Sequence, residues 1–315
     1  MEKLHIEDFL VVKKKSRLEV DAMNFGLGLD WRGIQQNDKK VLESVSKRYN
    51  HNTEFMERNM EAHKQLYDSV NLLSDMGFEN IIEREELKKR KLKNKKAVLS
   101  LGGDNHLVWV LDQLEYLGYS IPVIGMNSGS SHGGLLYDNK STIEETFEKC
   151  SNGNYFIEEW PKIDGMIFIG KNSKRLFPAS QEYILGEYSG TQMSRWVLKD
   201  EEQKGNRLII TNGAGSSGWY NSVHLDLFNE SDSFARDKKE LRYIIDGPAG
   251  GKYRYKHVKG EIKDREVLVI VSYNDSKGVA TADCIDERRY MHDFPFGAMA
   301  KIWISFNKVS KIIRR

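Results

Sequence analysis

The sequence predicts an α/β domain with a parallel sheet, followed by a second domain that is rich in β-structure. Up to about residue 152, short apolar runs alternate with segments whose apolar residues have helical spacing. From 153 to about 297 the strand-like runs mostly alternate with polar residues, and helical spacing is sparse. Strands that alternate with helices are typical of a parallel sheet with crossover helices. The length of 315 residues accommodates two domains of ordinary size.

The predicted elements of the first domain alternate in the order that a parallel sheet requires. A long helix is predicted within 41–76, because Leu66, Val70 and Leu73 form one apolar stripe, and Gly77 ends it. A second helix is predicted from the helical spacing of four apolar residues, Leu107, Val110, Leu111 and Leu114. The predicted strands are Phe9–Val12, Asn80–Ile82, Ala97–Leu101 and Ile121–Gly125.

The second domain is predicted as a series of strands with one short helix near Ser217–Leu225. Residues 226–240 mix acidic and basic side chains and are predicted as a loop. The strands are expected at Met166–Ile169, Glu182–Leu185, Arg195–Leu198, Arg207–Ile210, Tyr243–Ile245, Val267–Tyr273 and Met299–Phe306.

Composition excludes several classes of protein. The formal net charge is only +2, so the chain as a whole has no attraction to nucleic acid or to a membrane surface. The lysines and arginine within 88–96 are interpreted as a solvated helix end, because one charge run is weak evidence of a partner. Cys150 and Cys284 lie far apart and are expected to be reduced. No apolar run approaches the roughly 18 residues of a membrane span, and a signal peptide is not recognisable, so a cytoplasmic location is expected.

The most informative segment is Ala97–Leu101 followed by Gly102, Gly103 and Asp104. It predicts a strand, a tight turn and a helix N-terminus, where free backbone N–H groups suit a phosphate. Glycines let a ligand approach the backbone closely. A carboxylate at that place would repel the phosphate unless it held a metal or accepted a proton from an attacking hydroxyl. On this segment alone, a purely structural turn is an equally good interpretation.

Three further polar or Gly-rich segments stand at the ends of predicted strands. The first is 125–134, in which Asn127 and the serine hydroxyls are candidate nucleotide contacts, although a flexible surface loop has the same composition. The second is Ala179–Glu182. The third is Thr211–Ser222, a Gly/Ser loop that leads into the predicted helix and lacks the lysine and spacing of a P-loop.

The order of these four segments resembles the NAD kinase family. That family carries GGDGT, a GVN-x-G segment, Ala-x-Asn-Glu and a segment of the TPTGSTAY type, in that order. The start of the chain, Val11–Glu19, is most similar to the mitochondrial-type branch. The resemblance covers most of the chain at low identity, and its four motifs are Gly102–His106, Gly125–Gly129, Ala179–Glu182 and Asn212–Ser222.

The sequence departs from the family at several motif positions. Asn105 stands where GGDGT has its last glycine, so a left-handed backbone is predicted there. His106 replaces the threonine and is expected to face the phosphates. Gln181 replaces asparagine, and Asn212 and Gly218 replace threonine and alanine.

The resemblance implies the fold, the reaction and the roles of particular residues. It implies that NAD binds in the crevice between an α/β domain of residues 1–152, to which 298–315 returns, and a β-rich domain of 153–297. A nucleoside triphosphate such as ATP, with Mg²⁺, would phosphorylate the adenosine 2′-hydroxyl of NAD, and no metal site made of protein ligands alone is expected. Asp104 would orient or deprotonate that hydroxyl. The implied phosphate-binding set is Gly102, Gly103, Asn105, His106 and Asn127, and the implied NAD-binding set is Gln181, Glu182, Asn212, Ser217, Gly218, Trp219 and Ser222.

Two other functions stay open at this point. Diacylglycerol-type lipid kinases share the Gly-Gly-Asp turn, although the low net charge and the Asn212–Ser222 segment argue against a lipid substrate. A degenerate kinase that senses NAD or NADP without turnover is favoured by the Asn105-His106 pair. The resemblance also implies a homo-oligomer, most simply a homodimer, with no nucleic-acid or membrane partner.

Overall fold

The computed structural model describes residues 1–24, 47, 52–129, 134–137, 142–283, 285 and 288–315. They form two compact units. The first comprises 1–113, 121–157 and 313–315, and the second comprises 114–120 and 158–312. Residues 130–133 of the predicted Gly-rich loop, Cys284 and most of 41–51 lie outside the described residues.

Four parallel, adjacent strands form the centre of the first unit. These strands are β1 (Phe9–Lys13), β2 (Ile81–Glu83), β3 (Ala97–Gly102) and β4 (Val123–Asn127), in the order β2-β1-β3-β4. β1 and β3 are buried throughout, which explains their continuous apolar sequences. Along the chain, β2 follows β1 and lies on one side of it, whereas β4 follows β3 and lies on the opposite side. The strand order therefore reverses between β1 and β3.

The helices of the first unit are α1 (Arg17–Asn24), α2 (Thr53–Asp75), the short α3 (Lys89–Leu92), α4 (Asp104–Leu117) and α5 (Ile143–Asn152). The predicted stripe on α2 is confirmed, because Leu66 and Leu73 are fully buried and pack in the core of this unit. The helix ends just before Gly77, whose φ of +96° suits glycine. The last residues of α4 belong to the second unit.

The second unit contains two mostly antiparallel sheets. The first sheet has the order β12-β11-β10-β7-β14-β15. The strands that this unit contributes to the second sheet include β16, β13, β8, β9, β5 and β6. Their bounds are β5 (Phe156–Ile169), β6 (Asn172–Arg175), β7 (Glu182–Glu187), β8 (Ser194–Leu198), β9 (Glu201–Gly205), β10 (Arg207–Thr211), β11 (Glu240–Asp246), β12 (Lys259–Lys263), β13 (Leu268–Ser272), β14 (Gly278–Ala282), β15 (Met291–Asp293) and β16 (Met299–Arg314).

Alternate residues of the six-stranded sheet face a shared apolar core. Tyr183, Leu185 and Leu208 lie in the core together with Trp196 and Ile302 of the other sheet. On the opposite face, a smaller cluster forms around helix α6 (Trp219–Phe228), with members Ile184, Ile209, Tyr220, Val223 and Ile244. The α/β unit and the β-rich unit therefore confirm the predicted fold class.

The structure corrects the boundaries that the sequence predicts. The units divide near residue 157 instead of 152, and only Ile313–Arg315 return to the first unit, not the whole of 298–315. The reason is that the first part of β16 pairs with β13, from Met299 opposite Val271 to Ile302 opposite Leu268. Residues 226–228 are the last turn of α6 and not part of a loop. None of the described helices is long and apolar enough to cross a membrane.

Candidate active site

A cavity of about 840 Å³ lies at the carboxyl ends of the parallel strands in the first unit. Its lining includes Lys14 and Lys15 directly after β1, Arg84 and Glu85 after β2, and 103–106 after β3. Val20 and Met23 of α1 form an apolar wall. Ligands of open parallel sheets bind outside the carboxyl ends of the strands, where the strand order reverses. This cavity occupies that place, because the reversal falls between β1 and β3.

The Gly102–Gly103 turn connects β3 to α4 without a bulky side chain. The Gly103 carbonyl accepts the first helical hydrogen bonds, from the N–H groups of His106 at 3.0 Å and Leu107 at 3.1 Å. A Cβ atom on Gly102 would lie 2.7 to 2.9 Å from the His106 side chain. Gly102 is therefore required by the packing of His106, in addition to any role that it has towards a ligand.

Asp104 is the first residue of α4, and its carboxylate already holds backbone groups. One oxygen accepts the N–H of Gly134 and the other accepts the N–H of Leu135, each at 3.0 Å. The side chain therefore connects the segment after β4 to the start of the helix through two hydrogen bonds.

Asn105 does not have the left-handed backbone that its replacement of a family glycine led us to predict. It is the second residue of α4 and has a helical conformation, with its side chain exposed. The helix begins directly after Gly103, so the turn is complete before position 105 is reached. Any non-proline residue can take that backbone.

The ring of His106, which we expected to face the phosphates, contacts β1. Its side chain is 6% exposed, and Nε2 donates to the carbonyl oxygen of Val12 in β1 at 3.0 Å. The ring is parallel to that of Trp109, with centroids 6.5 Å apart. Burial lowers the pKa of His106 to about 4, so the ring is neutral at neutral pH. His106 therefore connects α4 to β1. Only those of its atoms that line the cavity can contact a ligand.

Charged side chains surround the cavity, and most of them are paired. Lys15 contacts Glu83 at 3.4 Å and Glu85 at 3.3 Å, and Lys13 contacts Glu83 at 3.2 Å. Burial opposes the charge of Lys15, but these two glutamates raise its pKa. Arg84 contacts Glu85 at 3.6 Å and lies over the Trp109 ring. Burial lowers the pKa of Lys14, for which the described residues supply neither a hydrogen bond nor an ion pair.

Asn127 ends β4 directly opposite Gly102 in the parallel register. Its Oδ1 accepts the N–H of Gly129 at 3.0 Å. Asn127 lines a separate cavity of about 430 Å³, together with Asp68 and Ser69 of α2, and does not line the cavity that contains Asp104. The structure thus places Asn127 beside the turn without bringing it into the same space.

In the second unit, the Ala179–Glu182 segment is held by a residue that the sequence analysis did not single out. Asp283 follows β14, and its carboxylate accepts three backbone N–H groups, from Ser180 and Gln181 at 2.6 Å and from Glu182 at 3.0 Å. Its φ of +53° turns the chain directly after the strand. The strand before Asp283 was not predicted from the sequence, and nothing in the sequence shows which segment its carboxylate meets.

Asn212 lies beneath the Gly/Ser loop and not on its surface. The residue is fully buried, and its amide nitrogen donates to the carbonyls of Pro161 and Ser180, each at 2.8 Å. Its Oδ1 accepts the N–H of Gly215 at 3.1 Å. All of its polar atoms are thus engaged by the backbone. Asn212 supports the loop, in contrast to the direct NAD contact that we expected.

The exposed part of this loop is the start of α6. Ser217, Gly218 and Trp219 are exposed, and the Ser222 hydroxyl donates to the Gly218 carbonyl at 3.3 Å. Trp219 borders a groove of about 460 Å³, whose floor is the outer face of β7 and β14 and includes Ile184. Glu182 is mostly buried at the start of β7, opposite Thr211, and the Gln181 amide donates to the Ala214 carbonyl at 3.4 Å. Ser217, Gly218, Trp219 and Ser222 are exposed and thus available to a ligand.

Metal ligation by protein side chains alone is not supported in the described part of the chain. No group of three or more His, Cys, Asp or Glu side chains there has a suitable arrangement. The cavity of the first unit is lined by two carboxylates, Asp104 and Glu85.

Comparison with known proteins identifies the fold. The chain is similar to the crystal structure of an NAD kinase from Archaeoglobus fulgidus in complex with ATP, with a TM-score of 0.57, 13% identity, and coverage of 96% of this chain and 92% of that one. It is also similar to yeast NADH kinase complexed with NADH, with a TM-score of 0.63, 10% identity, and coverage of 100% and 84% respectively. No family model matches the sequence, and no curated protein is significantly similar to it. The chain therefore has an NAD kinase-like fold.

Proposed function

We propose that this chain is an NAD kinase, which transfers the γ-phosphoryl group of a nucleoside triphosphate to the adenosine 2′-hydroxyl of NAD. The observation that carries the proposal is the cavity where the strand order reverses, in which Gly103, Asp104 and Lys14 line one space. The similar structures contain ATP in one case and NADH in the other, which supports nucleotide substrates. The Val11–Glu19 segment is our reason to propose the mitochondrial-type branch.

The donor phosphates would bind at the Gly102–Gly103 turn and at the start of α4. The first N–H groups of the helix have no partner within it, and the helix dipole favours an anion. Mg²⁺ would arrive with the triphosphate, whose oxygens supply most of its ligands. The carboxylates of Asp104 and Glu85 are hard oxygen donors and fit this ion, whose bound charge would neutralise the phosphates.

Asp104 would act on the hydroxyl that attacks. The 2′-oxygen forms a bond to the γ-phosphorus, the bond from that phosphorus to the bridging oxygen breaks, and the nucleoside diphosphate leaves. The hydroxyl proton passes to the carboxylate and then to water. The hydrogen bonds from Gly134 and Leu135 fix the orientation of the Asp104 carboxylate.

NAD would be bound by residues of the second unit. The exposed Ser217 and Ser222 hydroxyls offer hydrogen bonds to ribose, and the Trp219 ring offers a flat apolar surface at the groove. Glu182 would accept from ribose hydroxyls, while Gln181 and Asn212 shape the loop around it. Asp283 holds the Glu182 backbone at the required place.

A second candidate function is a sensor that binds NAD or NADP without turnover. The specific observation in its favour is that both oxygens of Asp104 already accept backbone N–H groups. Hydrogen bonds to a carboxylate stabilise its charged form and make it a weaker base.

The test is phosphoryl transfer with purified protein. NAD or NADH is incubated with ATP and Mg²⁺, and NADP or NADPH is measured with an NADP-specific dehydrogenase. We expect product that depends on both substrates, and no phosphorylation of diacylglycerol in a parallel reaction. NAD binding without any product would support the sensor, and a phosphorylated lipid would support the lipid kinase. The homo-oligomer stays a prediction that sedimentation velocity can check.

A further inference from the structure

Among the described residues that line the cavity of the first unit, Lys14 is the cation whose charge is not compensated. The other cations at this strand edge have acidic partners: Lys13 and Lys15 contact Glu83, and Lys15 and Arg84 contact Glu85. Among the residues that the structure describes, Lys14 has no hydrogen-bonding or ion-pair partner for its ammonium group. It is partly buried, which is costly for an unpaired charge.

Lys14 also lies at a particular place in the fold, next to the turn between β3 and α4. Its backbone N–H donates to the Leu101 carbonyl at 3.1 Å, one residue before Gly102. The residue therefore lies at the switch point, beside the turn that leads into α4. In the described structure the two carboxylates of the cavity have other partners: Asp104 accepts the N–H groups of Gly134 and Leu135, and Glu85 contacts Lys15 and Arg84.

We propose that Lys14 is a substrate-contacting residue that binds the phosphate chain of the phosphoryl donor. The proposal rests on the proposed function and adds a residue that determines donor binding. An anion would restore to the Lys14 ammonium the hydrogen bonds that it lost on burial. The chemistry that fits is a linear chain of phosphates, which a nucleoside triphosphate and an inorganic polyphosphate share. Such a chain would contact both Lys14 and the start of α4, because both line the same cavity.

The experiment measures binding of tripolyphosphate and of ATP by calorimetry, without turnover. Lys14→Met removes the charge and keeps the apolar stem, and Lys14→Arg keeps the charge. The matched control is Lys93→Met, because Lys93 is an exposed lysine of the same unit outside the cavity. We expect Lys14→Met to weaken both ligands by about tenfold or more. Lys14→Arg should stay within a few-fold of wild type, and Lys93→Met should be unchanged.

A second measurement uses the wild-type protein and does not depend on the folding of a variant. Lysines are acetylated with and without tripolyphosphate, and the rate at each site is followed by mass spectrometry. We expect tripolyphosphate to slow the acetylation of Lys14 and to leave Lys93 unaffected. Unprotected Lys14, unchanged affinity in Lys14→Met, or an equal loss in Lys93→Met would each overturn the proposal.

The same measurements distinguish the two possible sources of the phosphate chain, a nucleoside triphosphate and an inorganic polyphosphate. They also distinguish a failure of the Lys14 proposal from a failure of the proposed kinase function. ATP that binds more tightly than tripolyphosphate identifies a nucleoside triphosphate, whereas equal affinity identifies the phosphate chain alone; both agree with a Lys14 contact. If Lys14 is protected but no NADP forms, the anion site stands and the kinase activity fails. If NADP forms and the donor affinity of Lys14→Met is normal, the kinase stands and the role of Lys14 fails.

Discussion

His106 shows how one departure from the family motif is accommodated by its surroundings. The ring fills the space above Gly102 and connects the start of α4 to the Val12 carbonyl. A threonine side chain at this position is too short for its hydroxyl to reach the Val12 carbonyl. The sequence predicted a ligand contact, because a histidine three residues after a Gly-Gly turn gives no sign of the strand that it meets. The Asn105 prediction failed for a related reason, since the sequence predicted a helix N-terminus here but not that the first helical residue is Asp104.

The buried neutral ring makes stability depend on pH. The pKa of His106 is about 4 in the folded protein and about 6.5 when unfolded. The unfolded chain therefore binds more protons between these values, and the stabilisation present above pH 6.5 is lost as the pH falls towards 4. Between pH 7.5 and pH 5 this one residue should remove about 2 kcal/mol from the free energy of unfolding.

Urea denaturation at both pH values checks this expectation. His106→Gln keeps a neutral N–H donor and cannot take up the proton, so its loss of stability on acidification should be smaller than that of wild type by the same amount. His292 has a similarly low pKa, again through burial, and contributes equally to both proteins. An identical dependence on pH in wild type and His106→Gln would contradict the buried neutral ring.

Glu182 is the residue on which the NAD assignment depends most. If its carboxylate accepts hydrogen bonds from ribose, Glu182→Gln should weaken NAD binding by about 1–3 kcal/mol. Glutamine keeps the size, so the strand β7 should remain intact. The exposed Glu202 in the same unit supplies a control, Glu202→Gln. Calorimetric titration that finds the same NAD affinity in all three proteins would remove Glu182 from the site.

At the scale of elements, the loop before β7 depends on a distant carboxylate. Asp283→Asn replaces one of two acceptor oxygens by an NH₂ group, which would then face a backbone N–H of Ser180 or Gln181. We expect a loss of about 1–3 kcal/mol in the free energy of unfolding. Asp275→Asn removes only an exposed contact with Arg195 and should change it by less than about 1 kcal/mol. Equal denaturation midpoints for the two variants would show that Asp283 does not hold the loop.

Several elements could be predicted from local sequence, and others could not. The apolar runs of β1 and β3 and the stripe of α2 were sufficient, because burial of these residues dominates their structure. Helix α5 was missed, although Thr142 and Glu145 form a capping box that the sequence displays. The distant partners of Asp283 and Asn212 could not be predicted, since they lie 32 to 103 residues away.

At the scale of the molecule, the sequence predicted two units of the right classes but not the path of the last strand. β16 is sixteen residues long, and its first part pairs with β13 in the second unit. Only Ile313–Arg315 belong to the first unit, where Arg314 donates to the carbonyls of Leu135 and Leu136. Strand pairing over such distances is set by tertiary packing, for which a single sequence has no local signal.

The central claim is that Asp104 acts on a hydroxyl of bound NAD during phosphoryl transfer, and turnover measured beside NAD affinity tests it most directly. NADP formation and calorimetric NAD binding are compared for wild type and Asp104→Asn, with denaturation midpoints measured because asparagine also disturbs the contacts to Gly134 and Leu135. The account predicts that Asp104→Asn lowers turnover by on the order of 10²-fold or more, with NAD affinity little changed. Equal NADP production by both proteins would contradict the role of Asp104, and bound NAD without NADP from either would contradict catalysis.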